Sequence, residues 1–397
     1  MTVILAAVAL LATVPPPPVA SAAAPAEPVA PPAAPPVYQI ESVRVRYTHY
    51  AQTGIGYQSA AGPAGAPGSE AATIEQPQAE VVARLGDRLT LRLWAPVDVI
   101  TAASPDHSRY GKPLDAPVDA VSTASRVNSA ESLETQSTYR WNNTTDISFR
   151  SGIHIEEPFE SWSFGMGFSR SLAEDNAVVS ASVNQVVDWF DRFALDGTRH
   201  SRASRSTTNV NLSLTQLLSP TTVAAFSYGG TVQEGTLTNT WNSVLLSDGT
   251  RGEERMPRGR QRHALAARLA QWLPWQGALK LYYRAYLDDW GIGAHTVEGD
   301  LAQRLLPFLH VQAVYRFHHQ SATRYFTTSA DPMATGYRTA DSDLAGFRAQ
   351  TIGGAISLDL PMIRWMQDLH ADIGYEHYFR SNQLTVDITT CALGLRF

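Results

Sequence analysis

The sequence predicts an all-β protein, a transmembrane antiparallel β-barrel of about 16 strands, with about 14 as the alternative count. Three observations predict this class. Apolar and charged residues alternate in segment after segment, the connections alternate between short and long, and the chain ends on an amphipathic strand that finishes at Phe397. A closed barrel is one of two structures that cross lipid with their backbone hydrogen bonds satisfied.

The alternation is clearest in the segment Gly277–Trp290. One face carries Leu279, Leu281, Tyr283, Ala285 and Leu287, and the other carries Lys280, Tyr282, Arg284, Tyr286 and Asp288. A Lys or Arg that faced lipid at the bilayer midplane would cost about 2–4 kcal/mol, so the charged face must face the lumen. Segments 146–156 and 309–320 repeat the pattern. The predicted lumen-lining residues are Lys280, Arg284, Arg316, His318, Arg150 and Glu156.

The connections between the predicted strands alternate in length. Short turns are expected at Gly86-Asp87, Asn142–Thr145, Leu172–Asn176, Ser219–Thr221, Leu273–Gly277 and Leu306–Phe308. Long polar loops are expected at Thr53–Gln76, Ala102–Glu131, Arg192–Ser206, Thr236–Gly259 and Thr323–Leu344. Bacterial outer-membrane barrels have short periplasmic turns and long extracellular loops. Both chain termini are therefore expected on the periplasmic side.

Two features of the sequence leave the strand count open between about 16 and about 14. Pro96 interrupts one predicted strand, because proline cannot donate a hydrogen bond to a sheet ladder. The segment Trp162–Arg170 could also merge into a loop. Either feature would lower the count from about 16 to about 14.

The first residues predict export from the cytoplasm. Residues 1–22 are expected to form a signal peptide, since the apolar run Val3–Val14 is followed by Ala20-Ser21-Ala22, although no Lys or Arg precedes the run. Residues 23–37 are rich in Pro and Ala and predict an extended periplasmic tether. Residues 38–397 form the predicted barrel.

Composition excludes several classes of protein. The mean hydropathy of -0.17, without long apolar segments, argues against a helical membrane protein. The net charge of -6 argues against nucleic-acid binding. The single cysteine, Cys391, excludes an internal disulfide and offers no cluster for zinc. No cofactor is expected.

Candidate catalytic groups are few and match no known motif. They are His154 with Glu156, His310 with His318, and His370 with Asp372 and Glu376. The sequence contains neither Gly-x-Ser-x-Gly nor His-Glu-x-x-His. Any porin needs alternating charges across its hydrated lumen, and this explanation is favoured for these residues, so we expect no catalytic residue and a protein that is not an enzyme.

Two sets of residues near the predicted outer rim suggest ligand binding. A divalent metal site could use Asp288, Asp289, His295 and Glu298, although a tight turn with Trp290 in an aromatic girdle is the alternative. Arginines in the outer loops could bind lipid phosphates, or they could pair with neighbouring acidic residues. These phosphate-binding candidates are Arg199, Arg202, Arg205, Arg255 and Arg258.

The stretch Asp288-Asp289-Trp290-Gly291-Ile292, followed by His295-Thr296, resembles a recurrent block of one protein family. The segments Leu218–Thr222 and Asp98–Ser104 are similar to other parts of that family. It is a group of predicted bacterial outer-membrane barrels that is catalogued only as a domain of unknown function. The resemblance spans about residues 40 to 397. It implies a barrel and brings no established activity.

These observations together predict a bacterial outer-membrane protein, most simply a non-enzymatic pore or transporter for small solutes. The alternatives are a plugged structural or assembly barrel that anchors a partner, and a hydrolase in the lumen or at the rim. The expected partners are outer-membrane lipid, lipopolysaccharide and the barrel-insertion machinery, which would recognise Phe397. Lumen charges of opposite sign nearly balance, which predicts weak ion selectivity with a slight anion bias.

Overall fold

The computed structural model describes residues 38–56, 68–69, 72–100, 128–156, 159–194, 199–239, 242–361 and 368–397. The predicted signal peptide and tether, residues 1–37, lie outside these described residues. Within them, sixteen antiparallel strands close into one barrel, and the first strand pairs with the last. The closed barrel of sixteen strands confirms the predicted fold and the higher of the two strand counts.

Each barrel strand pairs with its neighbours in the chain. The strands are β1 Tyr38–Thr53, β2 Ala72–Leu85, β3 Leu89–Ile100, β4 Asn128–Asn142, β5 Thr145–Glu156, β6 Phe159–Leu172, β7 Ala177–Phe193, β8 Arg199–Ser219, β9 Thr222–Gly235, β10 Gly259–Leu273, β11 Gly277–Asp288, β12 Gly293–Leu306, β13 Leu309–Gln320, β14 Phe347–Pro361, β15 Asp368–Arg380 and β16 Thr385–Arg396. Two short hairpins outside the barrel pair Ile55–Gly56 with Gly68–Ser69 and Ser243–Leu245 with Arg251–Glu253.

The two features that favoured 14 strands are accommodated inside strands. Pro96 lies in β3 opposite Gln78, and the pairing with β4 skips from Trp94 to Val97. Pairing is therefore interrupted locally in both ladders, and the strand continues because pairing resumes beyond each gap. Residues 162–170 lie within β6 and pair with both β5 and β7.

One predicted loop is wrong. The segment Arg192–Ser206 was expected as a long outer loop, but β7 runs to Phe193 and β8 begins at Arg199. Polar side chains on these two strands make contacts across the ladder, including Arg205 Nε to Asp188 Oδ2 at 2.7 Å. Since those contacts stabilise paired backbone beyond the apolar band, the strands extend where the polar sequence suggested a loop.

The outer face carries an apolar band bordered by polar and aromatic side chains. On β10, Leu265 and Leu269 are exposed on this face between His263 and Gln271. Tyr228 Oη lies 2.8 Å from His263 Nδ1, and this pair stacks at the end with the long loops. At about 3.4 Å per residue and a tilt near 40°, the interval between His263 and Gln271 rises about 20 Å, close to the apolar height of membrane barrels.

Among the described residues, none belongs to a helix whose length and apolar character would let it cross a membrane.

The predicted division between lipid and lumen can be checked by cysteine labelling. In a Cys391→Ser background, which removes the exposed native thiol, we expect Arg284→Cys to react in membranes with a water-soluble, impermeant reagent. Leu281→Cys on the same strand should stay unreactive because lipid covers it. Reaction at Leu281→Cys without reaction at Arg284→Cys would show that the face assignment is inverted.

Candidate functional site in the barrel lumen

Two polar cavities lie inside the described part of the barrel, along β4 to β11. The larger has a volume of about 470 Å³ and spans the inner faces of these strands from Gln136 to Arg284. The second, of about 410 Å³, lies beside it and is lined by residues of β4 to β8. Arg150 lines both. Most other inward side chains here are Ser, Thr and Asn. They face the lumen because successive side chains of a strand point to opposite faces.

The opposite part of the inner wall is closed to solvent. On β14 to β16 and β1, the inward side chains of Tyr50, Phe347, Tyr378, Val386 and Ile388 form one buried apolar cluster. Val386 is 0% exposed. The open space in the lumen is therefore displaced towards β4 to β11.

A segment of the connection between β13 and β14 packs against this closed wall. Arg380 Nη2 contacts Asp343 Oδ1 at 2.5 Å, and the Arg380 side chain is 1% exposed. The guanidinium also lies 4.5 Å from the centre of the Phe347 ring. Gln320 Nε2 donates to the carbonyls of Asp343 and Ala345 at 2.8 Å each. These contacts hold residues 341–345 to the barrel at the end with the long loops.

A buried carboxyl group joins two of the long loops. Glu254 Oε1 accepts from Thr339 Oγ1 at 2.5 Å, and its Oε2 accepts from the backbone N–H of Asn239 at 2.6 Å. Asp341 Oδ2 accepts from Asn242 Nδ2 at 3.0 Å beside it. Burial, and then the charge of Asp341, raises the pKa of Glu254 to about 8. Burial, and then the charge of Asp343, raises the pKa of Asp341 as well.

These raised pKa values predict a pH-dependent loop junction. In the folded protein Glu254 keeps its proton, whereas in the unfolded chain it loses that proton above its ordinary pKa near 4.5. The stabilisation of the loop junction by the protonated Glu254 is therefore fully present below pH 4.5. This stabilisation is lost as the pH rises towards about 8, the pKa of Glu254 in the folded protein. We expect hydrogen exchange at residues 339–343, corrected for intrinsic rates, to lose about tenfold or more protection between pH 5 and 9.

Glu254→Gln tests the contribution of Glu254 to that loss, because the amide stays uncharged at every pH and should remove the part of the pH dependence that Glu254 causes, while the part caused by Asp341 remains. Glu253 is the exposed neighbour of Glu254, so Glu253→Gln is the control and should keep the full pH dependence of exchange protection. Equal pH dependence in both variants would contradict the assignment.

The predicted lumen residues are distributed among ion pairs and cavities. Lys280 Nζ lies 3.6 Å from Asp300 Oδ2, and Arg316 Nε donates to Glu298 Oε2 at 2.8 Å. Arg150 and Arg284 line the larger cavity. The remaining two predicted residues, His318 and Glu156, lie in other surroundings. His318 Nδ1 lies 2.9 Å from Thr296 Oγ1. Glu156 is buried, and its carboxylate lies 3.8 Å from His154 Nε2.

The four rim residues suggested as metal ligands do not converge. Asp288 Oδ2 accepts from Arg260 Nε at 2.9 Å, and its Oδ1 accepts from the backbone N–H of Ile292 at 2.8 Å. Asp289 Oδ1 accepts from the backbone N–H of Gln261 at 3.0 Å. His295 lies on the outer face against Tyr283, whereas Glu298 pairs with Arg316 on the opposite face. In the part of the chain that the structure describes, no group of three His, Cys, Asp or Glu residues could hold a metal.

This rim segment forms a tight turn. Trp290 is buried, donates from Nε1 to the carbonyl of Gly259 at 3.0 Å and lies under Arg260, so it is not in the outer girdle. The dense pairing explains why these residue types occur together without a ligand.

The five candidate arginines fall into two groups. Arg199, Arg202 and Arg205 lie in strand β8 and pair with Asp191, Glu160 and Asp188. Arg255 and Arg258 lie in the connection between β9 and β10, where both are exposed. Their side chains are therefore better placed than the first three to bind an anion from solution.

The candidate catalytic histidines do not form hydrogen-bonded sets with the residues grouped with them in the sequence. His154 Nδ1 lies 2.7 Å from Ser132 Oγ, but its distance of 3.8 Å to Glu156 is too long for a hydrogen bond. His310 and His318 have different partners, Asp359 and Thr296. His370 contacts Asp359 at 2.6 Å and lies 3.6 Å from Asp372, whereas Glu376 is buried higher on the wall of the same strand.

Sequence reasoning missed several residues of this site. Asp359 bridges His310 and His370, and Asp343 anchors a loop to Arg380. Alternation along β14 could have placed Asp359 on the inner face, but no local pattern marks Asp343 or Glu254, because their partners come from distant segments.

Solved structures with a similar barrel include porins and a receptor. Pseudomonas aeruginosa OccK1 (OpdK) has 8% sequence identity and a TM-score of 0.43, with 90% of this chain and 98% of that chain covered. A BenF-like porin from Pseudomonas fluorescens has 7% identity and a TM-score of 0.46, with coverage of 91% and 99%. The ferric enterobactin receptor PfeA of Pseudomonas aeruginosa has 9% identity and a TM-score of 0.43, with coverage of 85% and 53%. Likeness this weak carries no conclusion about function.

No curated protein sequence matches the chain. A protein family does match, and it covers residues 1–391. That family is described as "Protein of unknown function (DUF3570)", and this chain belongs to it.

Proposed function

We propose that the protein is a non-enzymatic channel of the bacterial outer membrane for small polar solutes. The observation that carries this proposal is the pair of polar cavities inside a closed sixteen-strand barrel. Hydroxyl, amide and guanidinium groups along β4 to β11 can replace the water that a polar solute loses on entry. The closed wall on β14 to β16 and β1 narrows the path, which limits the size of the solute.

The proposed membrane placement follows from the outer face. The apolar band on that face would lie in lipid, with the long loops outside the cell and both termini of the barrel in the periplasm. Exposed Arg255 and Arg258 would then lie on the external side, where the outer leaflet presents the phosphates of lipopolysaccharide. Phe397 would be the element that the barrel-insertion machinery recognises.

Reconstitution into planar bilayers tests the channel directly. We expect steady single-channel conductance, together with swelling of proteoliposomes in small polar solutes and not in large ones. The control is the same preparation after heat denaturation, which should be silent. Silence of the folded barrel would contradict the channel and favour the plugged scaffold that anchors a partner.

A further inference from the structure

Most basic side chains on the inner wall have a carboxylate partner. Arg92 Nε donates to Glu80 Oε2 at 3.0 Å, and Arg205 Nε donates to Asp188 Oδ2 at 2.7 Å. Arg260, Lys280, Arg316 and Arg380 are paired similarly. A basic side chain that is paired in this way has little net charge left to attract a solute.

Arg150 and Arg284 differ from this pattern. Within the described parts of the chain, neither guanidinium has a carboxylate oxygen within 4.0 Å, and both line the larger cavity. Arg284 lies 5.3 Å from the centre of the Tyr286 ring, a contact that leaves its N–H groups able to donate. Their strands, β5 and β11, are six positions apart in the barrel order, and both line the cavity.

The described lining of this cavity is positively charged. Arg268 is a third guanidinium, and Asp146 is the carboxylate among the lining residues that the structure describes. Asp146 lies 3.6 Å from Arg140 Nε, and its single negative charge is outnumbered by the three guanidinium groups of the lining. A cavity with excess positive charge and low-dielectric walls concentrates anions.

We propose that this cavity binds small organic carboxylates, and that Arg150 or Arg284 holds the carboxylate group. The proposal rests on the proposed channel and names the class of solute. A guanidinium donates two parallel N–H groups to a carboxylate, and serine hydroxyls such as those of Ser182 and Ser213 line the same space. Ala264, Ala266 and the Tyr282 ring provide apolar contact near Arg284. An organic anion uses that apolar surface, whereas inorganic phosphate does not.

Binding is measured first on the folded barrel in detergent, because this measurement does not require conduction. We expect titration calorimetry with butyrate to give a saturable signal, and phosphate to bind more weakly. Arg150→Gln/Arg284→Gln should raise the Kd for butyrate about tenfold or more, which corresponds to about 1.4 kcal/mol. Arg150→Lys/Arg284→Lys keeps the charge but loses the planar fork, so an intermediate rise is expected.

The matched control is Glu80→Gln/Arg92→Gln, which removes a lumen arginine together with its partner and should leave the Kd unchanged. Heat-modifiable migration on gels verifies that each variant is folded. Equal butyrate binding in wild type and in Arg150→Gln/Arg284→Gln, or no binding by the folded wild type, would overturn the proposal. Tighter binding of phosphate than of butyrate would also overturn it, in favour of a site for inorganic anions.

Bilayer recordings separate this proposal from the channel itself. If the wild type conducts, the reversal potential in a KCl gradient should indicate anion preference, and butyrate should reduce the chloride current. Arg150→Gln/Arg284→Gln should conduct with the preference lost. A conducting wild type that prefers cations would overturn the anion site while the channel stands. A silent wild type that binds butyrate would overturn the channel and keep the site.

Discussion

Deletion of Phe397 is expected to remove most of the folded barrel from the outer membrane, an effect larger than its effect on the intrinsic stability of the barrel. The Phe397 N–H donates to the Glu41 carbonyl at 3.0 Å, beyond the end of strand β16 at Arg396. The closure between β1 and β16 continues without it from Ser42–Arg396 to Thr53–Thr385. The lost side chain accounts for at most about 1.5–3 kcal/mol of burial. A large effect must therefore come from recognition during assembly.

Two measurements distinguish assembly from stability. Heat-modifiable migration of cell envelopes should show little folded protein for the truncated chain, whereas refolding of the same purified chain into detergent should reach the wild-type yield. Trp141→Ala is the control, since this outward aromatic side chain is 62% exposed and lies at the same end of the barrel. Normal envelope levels of the truncated chain would show that Phe397 has no role in recognition.

Arg380→Met is expected to release the loop segment 341–345 from the inner wall. Methionine fills a similar volume, but it removes the contact with Asp343 Oδ1 and the hydrogen bond from Arg380 Nε to Tyr378 Oη at 2.8 Å. Breaking a buried ion pair by removing one partner costs about 3–5 kcal/mol. Asp343 keeps some access to water, so we expect about 3 kcal/mol, or a loss of exchange protection of about a hundredfold in this segment.

Hydrogen exchange at residues 341–345 measures this release. A double-mutant cycle with Asp343→Asn measures how much of the effect comes from the interaction between Arg380 and Asp343. Arg348→Met is the matched control, because Arg348 is an exposed arginine at the same end of the neighbouring strand β14. In bilayers, the released loop should increase fluctuations of the current through the barrel. Unchanged protection in Arg380→Met, or a coupling energy near zero, would show that other contacts hold the segment.

The sequence alone determined the fold class and the order of the strands. A period of two in side-chain polarity is a local property, so the segment 277–288 revealed its two faces without any partner strand. Turn residues are local too, and the short connections at Gly86, Asn176 and Ser219 were found for that reason. Local patterns also listed the inward charges on β5, β11 and β13.

Tertiary structure decided which of those charges are available to a solute. Arg316 and Arg284 look alike in the sequence, yet Arg316 meets Glu298 on the neighbouring strand and Arg284 lines an open cavity. The same applies to Arg205, which the sequence placed in a loop and the ladder between β7 and β8 places against Asp188. Register and loop packing join residues that are far apart in the chain, and a periodic pattern contains no information about that distance. The function of each charge follows from its partner, which only the closed barrel supplies.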